Sequence, residues 1–146
     1  MKKYLLIFLF LPLLLSGCIN RDKPGNNANI SSNNAKVDVD LTILSSTMVY
    51  AEVNNIMSRP ISYLGKTIKL NGLFYSTYYD VNDKTYYFVV ITDASSCCPQ
   101  GIEFVWNSGH KYPDENARIE VTGVFSSYND FGETYYRLLV EDLRVL

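Results

Sequence analysis

The sequence has few of the residues that carry catalysis or cross-link a small fold. Its 146 residues include one histidine and three cysteines, and three cysteines cannot form a dense disulfide framework. The chain has no nucleophile-elbow motif, no glycine-rich phosphate loop and no metalloprotease motif. These absences favour a protein that binds or scaffolds over an enzyme.

Charged residues are also scarce, at 19% of the chain, and the formal net charge is −2. Lys2 and Lys3 belong to an apolar N-terminal segment, and without them 11 basic and 15 acidic residues remain, for a net charge of about −4. A weakly acidic chain lacks the basic surface that attracts nucleic acid. The sequence therefore predicts that no nucleic acid is among the partners.

The N-terminal segment is an apolar run that is too short to cross a membrane. Residues 4–15 follow two lysines and are almost entirely apolar. A helix of this length spans about 18 Å, which is less than the roughly 30 Å of the hydrocarbon core. A charged start, a short apolar run and an exit of small residues are typical of a secretory signal peptide.

The exit of this segment reads Leu15-Ser16-Gly17-Cys18, which resembles the lipobox of bacterial lipoproteins. In that family the cysteine of the lipobox receives a diacylglyceryl group and becomes the first residue of the mature protein. The resemblance implies that residues 1–17 are a lipoprotein signal peptide and that Cys18 is lipidated. Because acyl chains anchor a protein without spanning the bilayer, it also implies an extracytoplasmic protein that its lipid anchors to the bacterial membrane.

Residues 18–44 predict a flexible tether between the lipidated N-terminus and a folded domain. The segment is rich in asparagine and serine, so it has too little apolar surface to offset the entropy of ordering. Near its end Val37, Val39 and Leu41 alternate with polar residues, which favours a short edge strand. The folded domain is predicted to occupy residues 45–146.

Residues 47–58 predict the helix of this domain. Its apolar residues fall on one face, Ser46 precedes it as a candidate N-cap, and Pro60 follows its end. We expect the helix to cap one end of the strands that follow.

The rest of the domain contains a repeated hairpin. Residues 68–74 and 119–125 share an alternating pattern, and each leads through a turn to a second strand that begins Thr-Tyr-Tyr. Another alternating segment, residues 101–106, lies between the two copies. Gly72 and Gly123 stand at equivalent places within the strands, which indicates a bend or bulge.

A hairpin, a single strand and a second hairpin predict a mainly β domain, a small five-stranded barrel with one N-terminal helix. Closure of the barrel removes exposed strand edges. The pattern YLGKTI at residues 63–68, followed by Gly72, resembles the entry strand of OB-fold domains, although the usual helix between strands three and four is missing from residues 107–116. The repeat predicts that Phe74 and Phe125 are buried at equivalent positions.

The outward face of the second strand is the first candidate for a ligand site. Tyr86, Phe88 and Val90 make this face apolar, whereas the second hairpin has Arg137 in place of Phe88. An apolar face needs a cover. The cover is either the 47–58 helix or a ligand or partner, such as a glycan or an envelope protein, because OB-type barrels bind across these strands.

Two further residue types have alternative interpretations. Glu103 and Glu120 alternate with apolar residues, which predicts solvated strand positions rather than a carboxylate pair. Tyrosines favour strands, and those near the hairpin tips are alternatively platforms that stack on sugars or peptides. They are Tyr75, Tyr78, Tyr79 and Tyr128.

A loop with two adjacent cysteines is the second candidate site. Cys97 and Cys98 lie between the second and third strands, and thiols outside the cytoplasm face oxidation. Three interpretations stay open: packed thiols in a turn, a zinc site with His110 as a further ligand, or a disulfide or redox role. Neighbouring Cα atoms lie about 3.8 Å apart against the usual ~4.4–6.8 Å of a disulfide, and two thiolates fall short of the four ligands of a structural zinc site.

The cysteine pair also carries a resemblance. The segment CCPQGIEF at residues 97–104, with Gly-Lys at residues 65–66 and Tyr-Pro at residues 112–113, resembles a group of lipoproteins of low-GC Gram-positive bacteria. It implies a location and a fold, and no reaction. The sequence as a whole predicts a lipid-anchored lipoprotein of the cell envelope that binds or scaffolds without catalysis. The alternative is a zinc-binding or thiol-redox protein that uses the two cysteines.

Overall fold

The structure is a computed structural model that describes residues 36–93, 98–107 and 109–146. The predicted signal peptide, the first part of the predicted tether, Cys18 and Cys97 lie outside these residues. In the part of the chain that is described, no helix is long and apolar enough to cross a membrane.

One helix, one 3-10 turn and six strands make up the described residues. The helix α1 spans Ser46–Ser58, and the turn at Pro60–Tyr63 follows it. The strands are β1 (Val39–Asp40), β2 (Thr67–Tyr79), β3 (Lys84–Ile91), β4 (Gln100–Trp106), β5 (Arg118–Asp130) and β6 (Glu133–Val145). The prediction of a mainly β domain with one N-terminal helix is confirmed.

Helix α1 begins one residue earlier than predicted. Its N-cap is Ser45 rather than Ser46, and the Ser45 side chain makes no capping hydrogen bond. Val53 and Ile56 lie on one helical face, are fully buried and join the core that the strands form. The helix is therefore held by this apolar contact rather than by its cap.

The five long strands pair in a ring. β2 pairs antiparallel with both β3 and β5, β3 pairs antiparallel with β4, β4 pairs in parallel with β6, and β6 pairs antiparallel with β5. The two residues of β1 add to β2 in parallel and make the sheet six-stranded. The strand count is six rather than the predicted five because the segment before the helix extends the sheet.

The inward side chains of this ring form the core. Phe74 and Phe125, the equivalent residues of the two hairpins, are 2% and 0% exposed, so the prediction that both are buried is confirmed. The Phe125 ring stacks on Tyr136 with the ring centres 5.9 Å apart. The Phe74 ring packs near Tyr87 in the same way, at 6.1 Å.

Gly72 and Gly123 lie where neighbouring strands approach closely. A Cβ at Gly72 would lie 2.7 Å from the carbonyl oxygen of Val90, and one at Gly123 would lie 2.5 Å from that of Leu139. Gly123 also sits at the register shift between β5 and β6, where a bulge was predicted. Both positions require glycine because the neighbouring backbone leaves no room for a side chain.

Residues 39–44 belong to the domain, although the sequence analysis assigned them to the tether. Leu41 is 2% exposed, and its N–H donates to the carbonyl of Lys69 at 2.8 Å. Asp40 accepts hydrogen bonds from the N–H and the hydroxyl of Thr42 at 2.9 and 2.5 Å. The hydroxyl contact lowers the pKa of Asp40. The folded domain therefore begins before residue 45.

Candidate functional site

The three ligand residues predicted from the sequence do not line the same groove. Tyr86, Phe88 and Val90 lie half-buried on the outer surface of β3, because the intervening Val89 is fully buried inside. Tyr86 lines one groove and Val90 lines another. Phe88 lies beside Gly101 of β4, with its ring 3.5 Å from where a Cβ on that glycine would lie. The structure therefore does not bring the three residues into one site.

Helix α1 covers only one end of this outer surface. Val49 of α1 lines the groove that contains Val90, whereas the described residues that line the groove at Tyr86 all belong to strands. The helix therefore lies beside Val90 without closing that groove, and it contributes no described residue to the groove at Tyr86. The reason is that the buried residues of α1, Val53 and Ile56, are directed into the core.

The groove that contains Tyr86 is the candidate functional site, and we call it the tyrosine groove. It has a volume of about 480 Å³, which lies within the range of small-ligand sites. Strands β3, β4, β5 and β6 all contribute to it. Its charged and aromatic lining residues are Lys84, Tyr86, Glu103, Tyr128, Asp130 and Arg137.

Asp130 joins the two hairpins at one side of the tyrosine groove. Its carboxylate accepts hydrogen bonds from the Tyr86 hydroxyl at 3.1 Å and from the Asn82 side-chain amide at 3.5 Å. Lys84 Nζ lies 3.7 Å from the same oxygen. The Asn82 amide also donates to the Tyr86 hydroxyl at 2.6 Å. Tyr86 is therefore held in a fixed orientation between the hairpins.

Glu103, Tyr128 and Arg137 form the second group of the groove. The Tyr128 hydroxyl donates to Glu103 Oε2 at 2.5 Å, and the Arg137 guanidinium carbon lies 4.3 Å from the centre of the Tyr128 ring. Burial raises the pKa of Glu103, although the hydrogen bond from Tyr128 and the charge of Arg137 oppose the shift. Burial and the hydrogen bond to Glu103 also raise the pKa of Tyr128, so its hydroxyl remains a donor.

Arg137 has hydrogen-bonding capacity that its neighbours do not use. Its Nε is buried and has no hydrogen-bond partner among the described residues. Within the same part of the chain, no carboxylate lies within 4.0 Å of its guanidinium nitrogens. A buried donor without an acceptor is unfavourable. The groove therefore presents a donor that suits an acceptor on a ligand.

The Glu103 group is not evident from the sequence. The alternating pattern predicted solvated positions for Glu103 and Glu120, and this prediction is wrong, because Glu103 is half-buried and Glu120 is 7% exposed. Glu120 lies 3.2 Å from Lys69 Nζ and also pairs with Arg144, in an ion cluster outside the groove. Glu103 stands opposite Arg137 in the ladder between β4 and β6, and only the strand order reveals that pairing.

Aromatic side chains extend from the groove to the hairpin tips. The rings of Tyr128 and Tyr135 stack with their centres 5.7 Å apart, and those of Tyr79 and Phe131 meet edge to face at 6.5 Å. Tyr79 and Phe131 are 47% and 62% exposed. Of the tyrosines predicted as stacking platforms, Tyr128 therefore lies in the groove and Tyr79 lies at the tips.

The cysteine loop lies only partly within the described residues. Cys97 is outside them, and Cys98 is exposed. The His110 ring stacks on Trp106, with the ring centres 4.2 Å apart and the planes at 5°. Across residues 36–93, 98–107 and 109–146, no group of three or more His, Cys, Asp or Glu is placed to hold a metal ion.

The zinc site of Cys97, Cys98 and His110, and the thiol-redox alternative, therefore remain predictions. Elemental analysis and thiol titration of protein purified without chelator test them. One zinc ion per chain with both thiols protected would confirm the site, and two freely titrating thiols without metal would contradict it.

Comparison with known proteins adds a similarity of fold. No protein-family model matches the chain, and no curated protein matches it. Solved structures are similar to it, among them the dimeric structure of the N-terminal domain of PriB protein from Thermoanaerobacter tencongensis. The match is 12% identical, covers 55% of this chain and 94% of that chain, and has a TM-score of 0.39. A likeness of this extent carries no inference about function.

The sequence-based exclusion of a nucleic-acid partner is wrong as a categorical statement, because the net charge of a whole chain cannot support it. The exclusion rested on the net charge of the whole chain. Net charge does not set the potential of one groove. Whole-chain charge is therefore no test of what the tyrosine groove binds.

Proposed function

We propose that this protein is a lipid-anchored, extracytoplasmic binding module whose tyrosine groove takes a neutral, hydroxyl-rich ligand such as a glycan segment, without catalysis. The observation that carries the ligand class is the Nε of Arg137, which lies beside the Tyr128 ring and has no hydrogen-bond partner among the described residues. A sugar presents oxygen acceptors around an apolar ring face. It therefore matches a charged donor that lies next to an aromatic platform.

The charges of the groove support an uncharged ligand. Lys84 and Arg137 contribute positive charges, and Glu103 and Asp130 contribute negative charges when ionised. A groove in which the two signs balance does not attract a polyanion or a polycation. The carboxylates accept hydrogen bonds from hydroxyl groups and the cations donate to them, so a sugar finds both kinds of partner.

The fold in this proposal is an OB-like, five-stranded barrel built from two similar hairpins and a central strand. The ring of strand pairings supports it. In OB-type barrels the ligand face crosses the second and third barrel strands, which correspond here to β3 and β4, and the tyrosine groove lies on that face. Strand β1 and helix α1 are additions at the N-terminal side of this barrel.

The anchor and the location rest on the Leu15-Ser16-Gly17-Cys18 motif. Mass spectrometry of the mature protein is expected to find a diacylglyceryl-modified Cys18 as the first residue. An unmodified Cys18, or a mature chain that retains residues 1–17, would contradict the anchor. Neither result would bear on the ligand class of the tyrosine groove, which is tested separately by titration with sugars.

Calorimetric titration of the full-length protein in lipid nanodiscs with cellotriose or tri-N-acetylchitotriose tests the ligand class. Arg137→Gln replaces the charged Nε donor with a neutral amide and removes the charge above Tyr128. We expect it to weaken binding about tenfold or more, because hydrogen bonds from charged donors contribute more than neutral ones. The matched control is Arg59→Gln, which removes an exposed arginine that lines neither groove.

Three outcomes would contradict the proposal. The first is that neither sugar binds, and the second is that the Arg137 and Arg59 variants bind the sugars equally well. The third is that a single-stranded oligonucleotide binds in place of the sugars, which would assign the groove to nucleic acid. Chromatography after incubation is expected to recover the sugars intact. Cleavage of either sugar would contradict the non-catalytic role.

A further inference from the structure

The groove that contains Val90, which we call the Val90 groove, has no described lining residue in common with the tyrosine groove. It lies between the segment that leads into α1 and the outer surface of β2 and β3. Its volume is about 400 Å³, which suits a small molecule rather than a folded partner.

One wall of the Val90 groove is apolar. Leu41, Leu44, Val49, Leu73 and Val90 line it, and they come from three separate parts of the chain. Leu73 remains 38% exposed, so the wall has apolar surface left for a ligand to cover. The hydrophobic effect therefore favours an apolar chain along this wall.

Beside this wall, the groove offers a carbonyl oxygen that accepts no hydrogen bond from the described residues. Asn71 lines the groove, and its Oδ1 is buried with no hydrogen-bond partner among the described residues. A buried carbonyl oxygen in this state is unfavourable unless a ligand or water supplies a donor. A hydroxyl group is the simplest donor that an apolar chain carries.

Arg118 supplies a positive charge next to this acceptor. It stands opposite Leu73 in the ladder between β2 and β5, while Asn71 stands opposite Glu120. Asn71 and Arg118 are therefore diagonal neighbours on one face, with Cα atoms about 7–8 Å apart. Glu120 already pairs with Lys69 and Arg144. In the described part of the chain no carboxylate lies within 4.0 Å of the Arg118 guanidinium.

We propose that the Val90 groove is a second binding site and that it takes a small amphipathic hydroxy acid. The apolar chain lies along the wall of Leu44, Val49 and Leu73. The hydroxyl donates to Asn71 Oδ1, and the carboxylate pairs with the Arg118 guanidinium. This site is independent of the tyrosine groove, because the two grooves have different residues and different chemistry.

The test titrates the full-length protein in lipid nanodiscs with 2-hydroxyoctanoate, and empty nanodiscs give the blank. We expect saturable binding that Arg118→Gln weakens about tenfold, because the charge-assisted contact is lost. Asn71→Leu is expected to weaken the binding of 2-hydroxyoctanoate but not the binding of octanoate, which lacks the hydroxyl. The matched control Arg59→Gln and the tyrosine-groove variant Arg137→Gln are expected to bind as the unmodified protein does.

Two results would overturn the proposal. One is the absence of binding above the blank up to about 10 mM acid, a concentration that covers weak small-molecule affinities. The other is equal affinity in the unmodified, Arg118→Gln and Asn71→Leu proteins, which would mean partition onto an apolar surface. Arg118 is exposed, so Arg118→Gln keeps the test valid even if Asn71→Leu unfolds the domain.

Discussion

Glu103 is the residue whose chemistry differs most from what an alternating strand indicates. It stands half-buried in the tyrosine groove, accepts a hydrogen bond from Tyr128 and lies opposite Arg137 on β6. Burial raises its pKa above the ordinary value of 4.5. In a folded chain the protonated carboxyl is therefore favoured relative to the unfolded chain.

The pH dependence of stability is expected to report this shift. Because the folded pKa of Glu103 is raised, its contribution to stability is fully present below the unfolded pKa and is lost as the pH rises through the folded pKa. Glu103→Gln mimics the protonated carboxyl. We expect the stability of this variant relative to the unmodified protein to increase in urea unfolding as the pH rises above the ordinary pKa of 4.5. Glu141→Gln, at an exposed position of β6, controls for the loss of a carboxylate, and an equal gain in that variant would contradict the prediction.

Glycine is required at position 123 because of the limited space around it, rather than because of the flexibility of its backbone. An added Cβ would lie 2.5 Å from the carbonyl oxygen of Leu139, so Gly123→Ala has to displace backbone and is expected to cost about 1–3 kcal/mol. At Gly101 the nearest atom to a Cβ is a side-chain carbon at 3.5 Å, an ordinary contact. Thermal unfolding of Gly123→Ala and Gly101→Ala compares them, and equal stabilities would contradict the packing assigned to Gly123.

The two hairpins are the repeated element of the domain, and each contributes one aromatic side chain to the same core. Phe74 lies within β2 and Phe125 lies within β5. A tyrosine on the other strand of each hairpin stacks against the phenylalanine: Tyr87 against Phe74, and Tyr136 against Phe125. The repeat therefore extends from the sequence pattern to the packing of the rings.

Truncation of either phenylalanine is expected to destabilise the domain strongly. Phe74→Ala and Phe125→Ala each leave a cavity in a closed core, at a cost of about 3–5 kcal/mol. Thr77→Ala, at an exposed position of β2, is the control and is expected to stay within about 0.5 kcal/mol of the unmodified protein. Urea unfolding measures all three. A loss of less than about 1 kcal/mol in either phenylalanine variant would contradict the shared core.

At the scale of the whole molecule, the N-terminal segment connects the predicted tether to the domain. β1 pairs with β2, and Leu41 is buried directly after it. Two residues along the chain, Ile43 is 79% exposed. The segment therefore contacts the domain through selected side chains.

This difference predicts opposite outcomes for neighbouring substitutions. Leu41→Ala is expected to lower the free energy of unfolding by about 2–5 kcal/mol, because a buried leucine leaves a cavity. Ile43→Ala removes a side chain that solvent surrounds, and a change within about 0.5 kcal/mol is expected. If the two variants unfold at the same denaturant concentration, the segment is not part of the cooperative domain.

Local patterns predicted the elements of this fold well. The helix, the two hairpins and the central strand follow from periodicity, from Pro60 and from the turn residues, because each of these signals acts within a few residues. The strand count was short by one because the alternation at Val37, Val39 and Leu41, which favours a short edge strand, was not counted as part of the barrel. The N-cap was off by one residue because Ser45 and Ser46 offer the same side chain.

The tyrosine groove was predicted only at Tyr86 and, as a possible stacking platform, at Tyr128. Glu103 and Arg137 belong to strands that are distant in sequence, and they become neighbours because β4 pairs with β6 in parallel. Asp130 contacts Tyr86 because the second hairpin folds beside the first. Periodicity reports which face of a strand a residue occupies and carries no information about which strand lies next to it.

The amino-acid sequence by itself therefore determined the mainly β class, the single helix and the repeated hairpins, since these depend on local backbone preference and on burial of one face. It also carries the Leu15-Ser16-Gly17-Cys18 motif, whose resemblance to a lipobox is recognised from the linear sequence. The tertiary structure alone decided the strand order and the separation of Tyr86 from Val90. It also decided that groups of Arg137 and Asn71 have no hydrogen-bond partner in the described part of the chain. Those features depend on contacts between segments far apart in the chain, and such contacts form only when the ring of strands closes.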